Sequence, residues 1–117
     1  MSQMIFKILR PEEWTAFQAS GRFDGSPVDL QDGYIHFSTA SQTKETLAKH
    51  FADAPRVAIL AVREEDVGAD LRWEPSRGGA LFPHLYRPLG LDEVAASREA
   101  EREAILATGD GPYSIEG

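Results

Sequence analysis

A chain of 117 residues, 42% of them hydrophobic, can build one ordinary core and is too short to expect two. Its 12 basic and 19 acidic residues leave a formal net charge of −7, which argues against broad, non-specific binding to nucleic acid or anionic membrane. Cysteine is absent, so disulfides, zinc–thiolate sites and thiol nucleophiles are excluded. The longest strongly apolar run, residues 57–62, is too short to cross a bilayer, and the N-terminus does not resemble a signal peptide. A cytoplasmic protein with no membrane partner is expected, its residues 1–117 forming one domain with an ordered core over about 5–107.

Ile5-Phe6-Lys7-Ile8-Leu9 reads as a first strand. Pro11 then stands where a helix tolerates it best, with Glu12 and Glu13 at the positive end of the helix dipole. Trp14 and Phe17 share one face of that helix and point to the core, and Gly21 suits its stop. Residues 22–32 read as a polar loop. Tyr34-Ile35-His36-Phe37-Ser38 alternates as a strand does, with Tyr34, His36 and Ser38 on one face. Thr39 followed by Gln42 fits a capping box, opening a helix to about Phe51 with Leu47 and Phe51 as its apolar stripe.

Residues 56–62 have the continuous apolar character of a central strand covered on both faces. Leu71-Arg72-Trp73-Glu74 reads as another strand, ended by Pro75 and the loop Ser76-Arg77-Gly78-Gly79. Residues 81–86 follow as a second hairpin arm, where Pro83 suggests an edge or a bulge. Residues 91–107 carry two readings. Their Ala, Glu and Arg content favours helix, whereas Val94-Ala95-Ala96 allows a short strand before a solvated helix. Residues 109–117 read as a loose tail. One core is expected from Trp14, Phe17, Ile35, Phe37, Leu47, Phe51, Ile59 and Leu60.

Three segments hold residues suited to chemistry. In Asp32-Gly33-Tyr34-Ile35-His36-Phe37-Ser38-Thr39 an imidazole and a hydroxyl sit two apart on one strand face, beside a capped helix N-terminus. That suits an anion or a ribose; equally, it describes a core histidine with ordinary capping residues. In Trp73-Glu74-Pro75-Ser76-Arg77 a strand-end carboxylate beside an arginine can serve as general base and phosphate clamp, or form an exposed ion pair in a turn. In Phe82-Pro83-His84-Leu85-Tyr86 the imidazole and phenol share a face, which a core histidine also explains. His50 is assigned to a solvated helix face. Two histidines and a glutamate fit iron or zinc, but no metal-ligand spacing is present, and no metal is expected.

With Phe6-Lys7-Ile8-Leu9, Trp14, Asp32-Gly33-Tyr34-Ile35-His36-Phe37-Ser38, Gln42, Thr46, Trp73-Glu74 and Phe82-Pro83-His84-Leu85-Tyr86 in this order, the chain resembles the uncharacterised family numbered 952 among domains of unknown function. The match covers residues 5 to about 91. That family resembles the ADP-ribosyltransferase fold and its RNA 2′-phosphotransferase branch. The resemblance implies an α+β fold of twisted, mostly antiparallel sheets with two or three flanking helices, around a cleft for NAD or an ADP-ribose-like group. It places Lys7 at the nucleotide, Ser38 and Thr39 at the nicotinamide ribose, and Glu74 beside the oxocarbenium-like centre. Lys7 stands where such enzymes usually carry His or Arg, and Arg77 is the one stand-in for the phosphotransferase arginines.

Together these readings nominate His36, Glu74 and His84 for catalysis. Lys7, Ser38, Thr39, Arg77 and Tyr86 are nominated to bind a nucleotide-like small molecule. No cofactor is fixed, NAD being the candidate that the resemblance implies. The expected activity is transfer from NAD or a related nucleotide; the alternative is a non-catalytic small-molecule or protein-binding module on a degenerate enzyme scaffold. The oligomeric state is not legible.

Overall fold

The computed structural model of the protein describes residues 3–76 and 79–107. The chain runs β1 (Met4–Leu9), α1 (Pro11–Ser20), β2 (Arg22–Phe23), α2 (Pro27–Asp32), β3 (Ile35–His36), α3 (Thr43–His50), β4 (Arg56–Arg63), α4 (Glu64–Val67), β5 (Leu71–Pro75), β6 (Leu81–Leu85), β7 (Leu89–Gly90), β8 (Val94–Glu101) and α5 (Arg102–Ala107). Short 3-10 turns precede α3, β5 and β8. The class is α+β with antiparallel strand pairing, and among the described residues five helices stand where two or three were expected.

The apolar run at residues 57–62 becomes the centre of a β1-β4-β8 sheet. Because side chains alternate across a strand, β4 feeds two separate cores. Ala58, Leu60 and Val62 face Ile5, Leu9, Trp14, Phe17, Ile35, Phe37 and Leu85. Val57, Ile59 and Ala61 face Phe6, Ile8, Leu47 and Ile105. The single expected core is therefore two, one on each side of the sheet. Phe51 is only partly buried against the second; Arg10 lies over its ring at 5.2 Å.

Helix α1 forms as expected. Pro11 opens it, the Arg10 backbone N–H donates to Glu13 Oε1 at 2.8 Å, and Gly21 closes it at φ 79°. Thr39 also behaves as expected, its N–H donating to Gln42 Oε1 at 2.9 Å at the entrance to α3. Residues 22–32, read as loop, instead hold β2 and α2. The strand expected over 34–38 is a ladder of only two residues, Ile35 and His36.

Two further expectations give way to tertiary pairing. Of the two readings for 91–107, the all-helix one fails: residues 94–101 are a strand along β4, longer than the 94–96 of the other reading, followed by a helix at 102–107. Interstrand hydrogen bonds and the burial of alternate residues outweigh intrinsic propensities of a few tenths of a kcal/mol per residue. Pro83 lies in β6, which is the middle strand of the β3-β6-β5 sheet rather than an edge. It is tolerated because its nitrogen faces the end of the β3–β6 ladder, where the Phe37 N–H donates to the Pro83 carbonyl and only the return bond is lost.

Candidate functional site

One face of the β3-β6-β5 sheet is apolar, with Ile35, Leu85, Leu71 and Trp73 joining the first core. The register Ile35↔Leu85, His36↔His84 and Arg72↔His84 therefore sends His36, His84 and Arg72 to the other face, which Glu74 and Phe82 share. The His36, His84 and Phe82 part of that face forms one wall of a cleft of about 540 Å³. Lys7, Ser38, Asp29, Asp32 and Thr46 line it too, with Phe6, Ile8, Phe37, Phe51 and Phe82 as its apolar part.

Lys7 shares the β1 face of Ile5 and Leu9 and is only 6% exposed, so its ammonium requires a partner. Asp29, 1% exposed, supplies one. Its Oδ2 accepts from Lys7 Nζ at 2.9 Å and from the Ser26 backbone N–H at 2.9 Å. Its Oδ1 accepts from the His36 backbone N–H at 3.2 Å and lies 2.6 Å from His36 Nδ1. Lys7 also donates to the His36 carbonyl at 3.0 Å. Burial pushes the Asp29 carboxyl up. The His36 hydrogen bond, the Lys7 charge and the Ser26 N–H outweigh it and hold the group well below the ordinary carboxylate range. Asp32 Oδ2 meets the second ring nitrogen of His36, Nε2, at 3.0 Å.

His84 is held differently. Its Nδ1 lies 2.7 Å from Glu74 Oε1, the oxygen that also accepts from Tyr86 Oη at 2.7 Å. Those bonds, Tyr86 first and His84 next, keep the Glu74 carboxyl below its usual range, and the same contact pushes the Tyr86 phenol up to about 12. Tyr34 stacks on the His84 ring at 4.1 Å. The other nitrogen, Nε2, is buried and has no hydrogen-bond partner. An unpaired buried polar atom costs on the order of 1–3 kcal/mol.

The family described as Protein of unknown function (DUF952) matches residues 8–97. The chain belongs to that family. It is similar to protein CC0527 from Caulobacter crescentus, whose X-ray structure is 52% identical over 92% of this chain and 90% of that one, with a TM-score of 0.78. The solution NMR structure of CC0527 is 55% identical over 84% and 83% of the two chains, with a TM-score of 0.72. No curated protein matches.

Of the family-motif residues nominated from sequence, His36, His84, Lys7 and Ser38 line the one cleft. Glu74 does not line it but bonds His84 from the neighbouring strand β5. Tyr86 is 41% exposed and holds Glu74, and Thr39 caps a turn instead of facing the cleft. Arg77 lies outside the described residues. Among those described, no group of three or more His, Asp or Glu could hold a metal ion, and no helix is long and apolar enough to cross a membrane. Asp29 was missed because residues 22–32 read as loop. Ser26-Pro27-Val28-Asp29, closing on Gly33, carries the cap, first-turn proline and terminal glycine of a short helix, and would have marked it.

Proposed function

We propose that the protein is an enzyme that holds a ribose-bearing, nucleotide-type small molecule in this cleft and uses His84 to move a proton. The observation that supports it most is the buried Nε2 of His84, unpaired in a ring that lines the cleft and whose Nδ1 is fixed by Glu74. A carboxylate on one nitrogen fixes the tautomer and steadies the imidazolium formed when the other takes a proton. The ligand class comes from the likeness in motif order to ADP-ribosyltransferases. In transfer from NAD, the incoming hydroxyl yields its proton to Nε2 and its oxygen bonds the ribose carbon. Nicotinamide leaves with the electron pair of the broken C–N bond, which neutralises its ring.

Glu74 takes a different part from the one the resemblance implied. Its Oε1 is engaged by His84 and Tyr86, so it serves as a positioning residue for the imidazole. The test is nicotinamide release from NAD in the presence of a cell extract, comparing wild type with Glu74→Gln and His84→Gln. Wild type should release nicotinamide, Glu74→Gln less, with a shifted pH profile, and His84→Gln none above background. Equal release by wild type and His84→Gln refutes the enzyme and leaves a binding module.

A further inference from the structure

We propose that the outer edge of β8 is a docking site for a basic, extended peptide segment, which adds to the sheet as an antiparallel strand. This site stands apart from the cleft and does not depend on the proposed function.

The phase of the sheet leads there. Phe6 exchanges both of its backbone bonds with Ser38, so its N–H and carbonyl point away from β4. Alternation along each strand carries that phase through the register Phe6↔Ala61 and Ala61↔Ala96. Ala61 therefore bonds Ala96, as Ile59 bonds Arg98 and Val57 bonds Ala100. Ser97, Glu99 and Glu101 turn their N–H and carbonyl groups the other way, off the end of the order β1-β4-β8. None of these groups has a hydrogen-bond partner among the described residues. Open strand edges invite another chain, and proteins blunt them with shortness, proline, bulges or charge. The edge of β1 is closed at Phe6 by Ser38, and β5 has five residues and ends on Pro75. By contrast, β8 runs for eight residues, and its register shift lies upstream of Ala96. Over residues 97–101 its guard is charge alone.

That charge selects the occupant. Ala96 and Ala100 pack on the second core, so Ser97, Glu99 and Glu101 share the opposite face, and all three are exposed. Across the β4 ladder Glu101 faces Arg56, whereas Glu99 faces Ala58 and is left to a cation arriving from outside. In antiparallel addition, the residue opposite Glu99 exchanges both backbone bonds with it and sets its side chain beside the carboxylate. A second copy of this chain, paired edge to edge, would gather Glu99 and Glu101 of both chains on one face. Each copy also carries a formal charge of −7, so like charges oppose that pairing. A strand with lysine or arginine at alternate positions meets the same acids favourably, and its main chain satisfies the open row.

The experiment is an NMR titration of the full chain, at low salt, with a capped peptide alternating lysine and valine. The amide hydrogens of Ser97, Glu99 and Glu101 should exchange rapidly in the free protein, and the peptide should shift and protect them. N-methylating the lysine amides of the peptide, which face β8, should abolish binding. N-methylating its valine amides, which face away, should not. Glu99→Gln should weaken the peptide about two- to fivefold, the worth of one exposed ion pair. With Glu99→Lys and Glu101→Lys together, the lysine peptide should be lost and its glutamate counterpart should bind instead. No response at residues 97–101, binding that ignores lysine N-methylation, or failure of that charge swap overturns the inference. Protection of these amides in the free protein at every concentration makes the chain's own residues 108–117 the occupant. Protection that grows with protein concentration makes it a second copy. Either result overturns the inference too.

Discussion

His36 and His84 face each other across the β3–β6 ladder with ring centroids 5.3 Å apart, yet the fold uses them in opposite ways. His36 has a carboxylate at each ring nitrogen, and its backbone N–H and carbonyl are bonded as well. It is a joint between β1, α2 and β3. His84 is bonded at one nitrogen and left open at the other. On the proposed function, the number of nitrogens the fold engages distinguishes the two: His36 fully bonded, His84 with Nε2 left for the proton.

The largest effect that could break this contrast is on the structural side. Asp29→Asn removes the charge facing buried Lys7 and should cost about 3–5 kcal/mol in urea unfolding. A loss below about 1 kcal/mol would deny Asp29 the part of a hub. Next comes acid sensitivity. The Asp29 carboxyl is held below its unfolded value near 3.9, so in acid the unfolded chain binds the proton first. The stability it contributes is complete above about pH 4 and is lost as pH falls from there toward the native value. The unfolding midpoint should drop over that range in wild type, with a visibly shallower drop in Asp29→Asn.

On the other side, His84→Leu should change stability by about 1 kcal/mol or less, because an apolar replacement removes an unpaired buried nitrogen instead of creating one. The same variant should lose ligand binding and any turnover. A large stability loss with intact binding would make His84 the structural partner and reverse the comparison. The smallest effect is expected at Tyr86→Phe. Ultraviolet titration should show that this variant lacks the tyrosine ionising at about 12, with the melting temperature nearly unchanged.

Sequence carried the frame better than the site. The run at residues 57–62, the caps at Pro11 and Thr39 and the Leu71–Leu85 hairpin were legible because each depends on periodicity or local backbone chemistry. Residues 94–101 were legible only as an open alternative, a strand at 94–96, because its full length comes from pairing with β4, far away in sequence. The motifs named His36 and His84 without telling them apart. That distinction lies with Asp29, Asp32 and Glu74, whose reach to the imidazoles is set by α2 and by the register of β5 on β6. Lys7 was read as a ligand contact from the resemblance; it does line the cleft, but its buried partner Asp29 was not legible.

Pro83 has a mechanical consequence. The last bond from the β3 segment to β6 runs from the Phe37 N–H to the Pro83 carbonyl at 2.9 Å, and the chain then changes partner. Phe6 and Ser38 exchange two backbone bonds of 2.8 Å each, so residues 35–38 are tied to one sheet at their start and to the other at their end. Neither sheet can peel away without breaking this clasp. Amide hydrogens at Phe6, Phe37 and Ser38 should therefore exchange with solvent as slowly as those of central β4, through one shared global opening, although their segment has only two residues of regular strand.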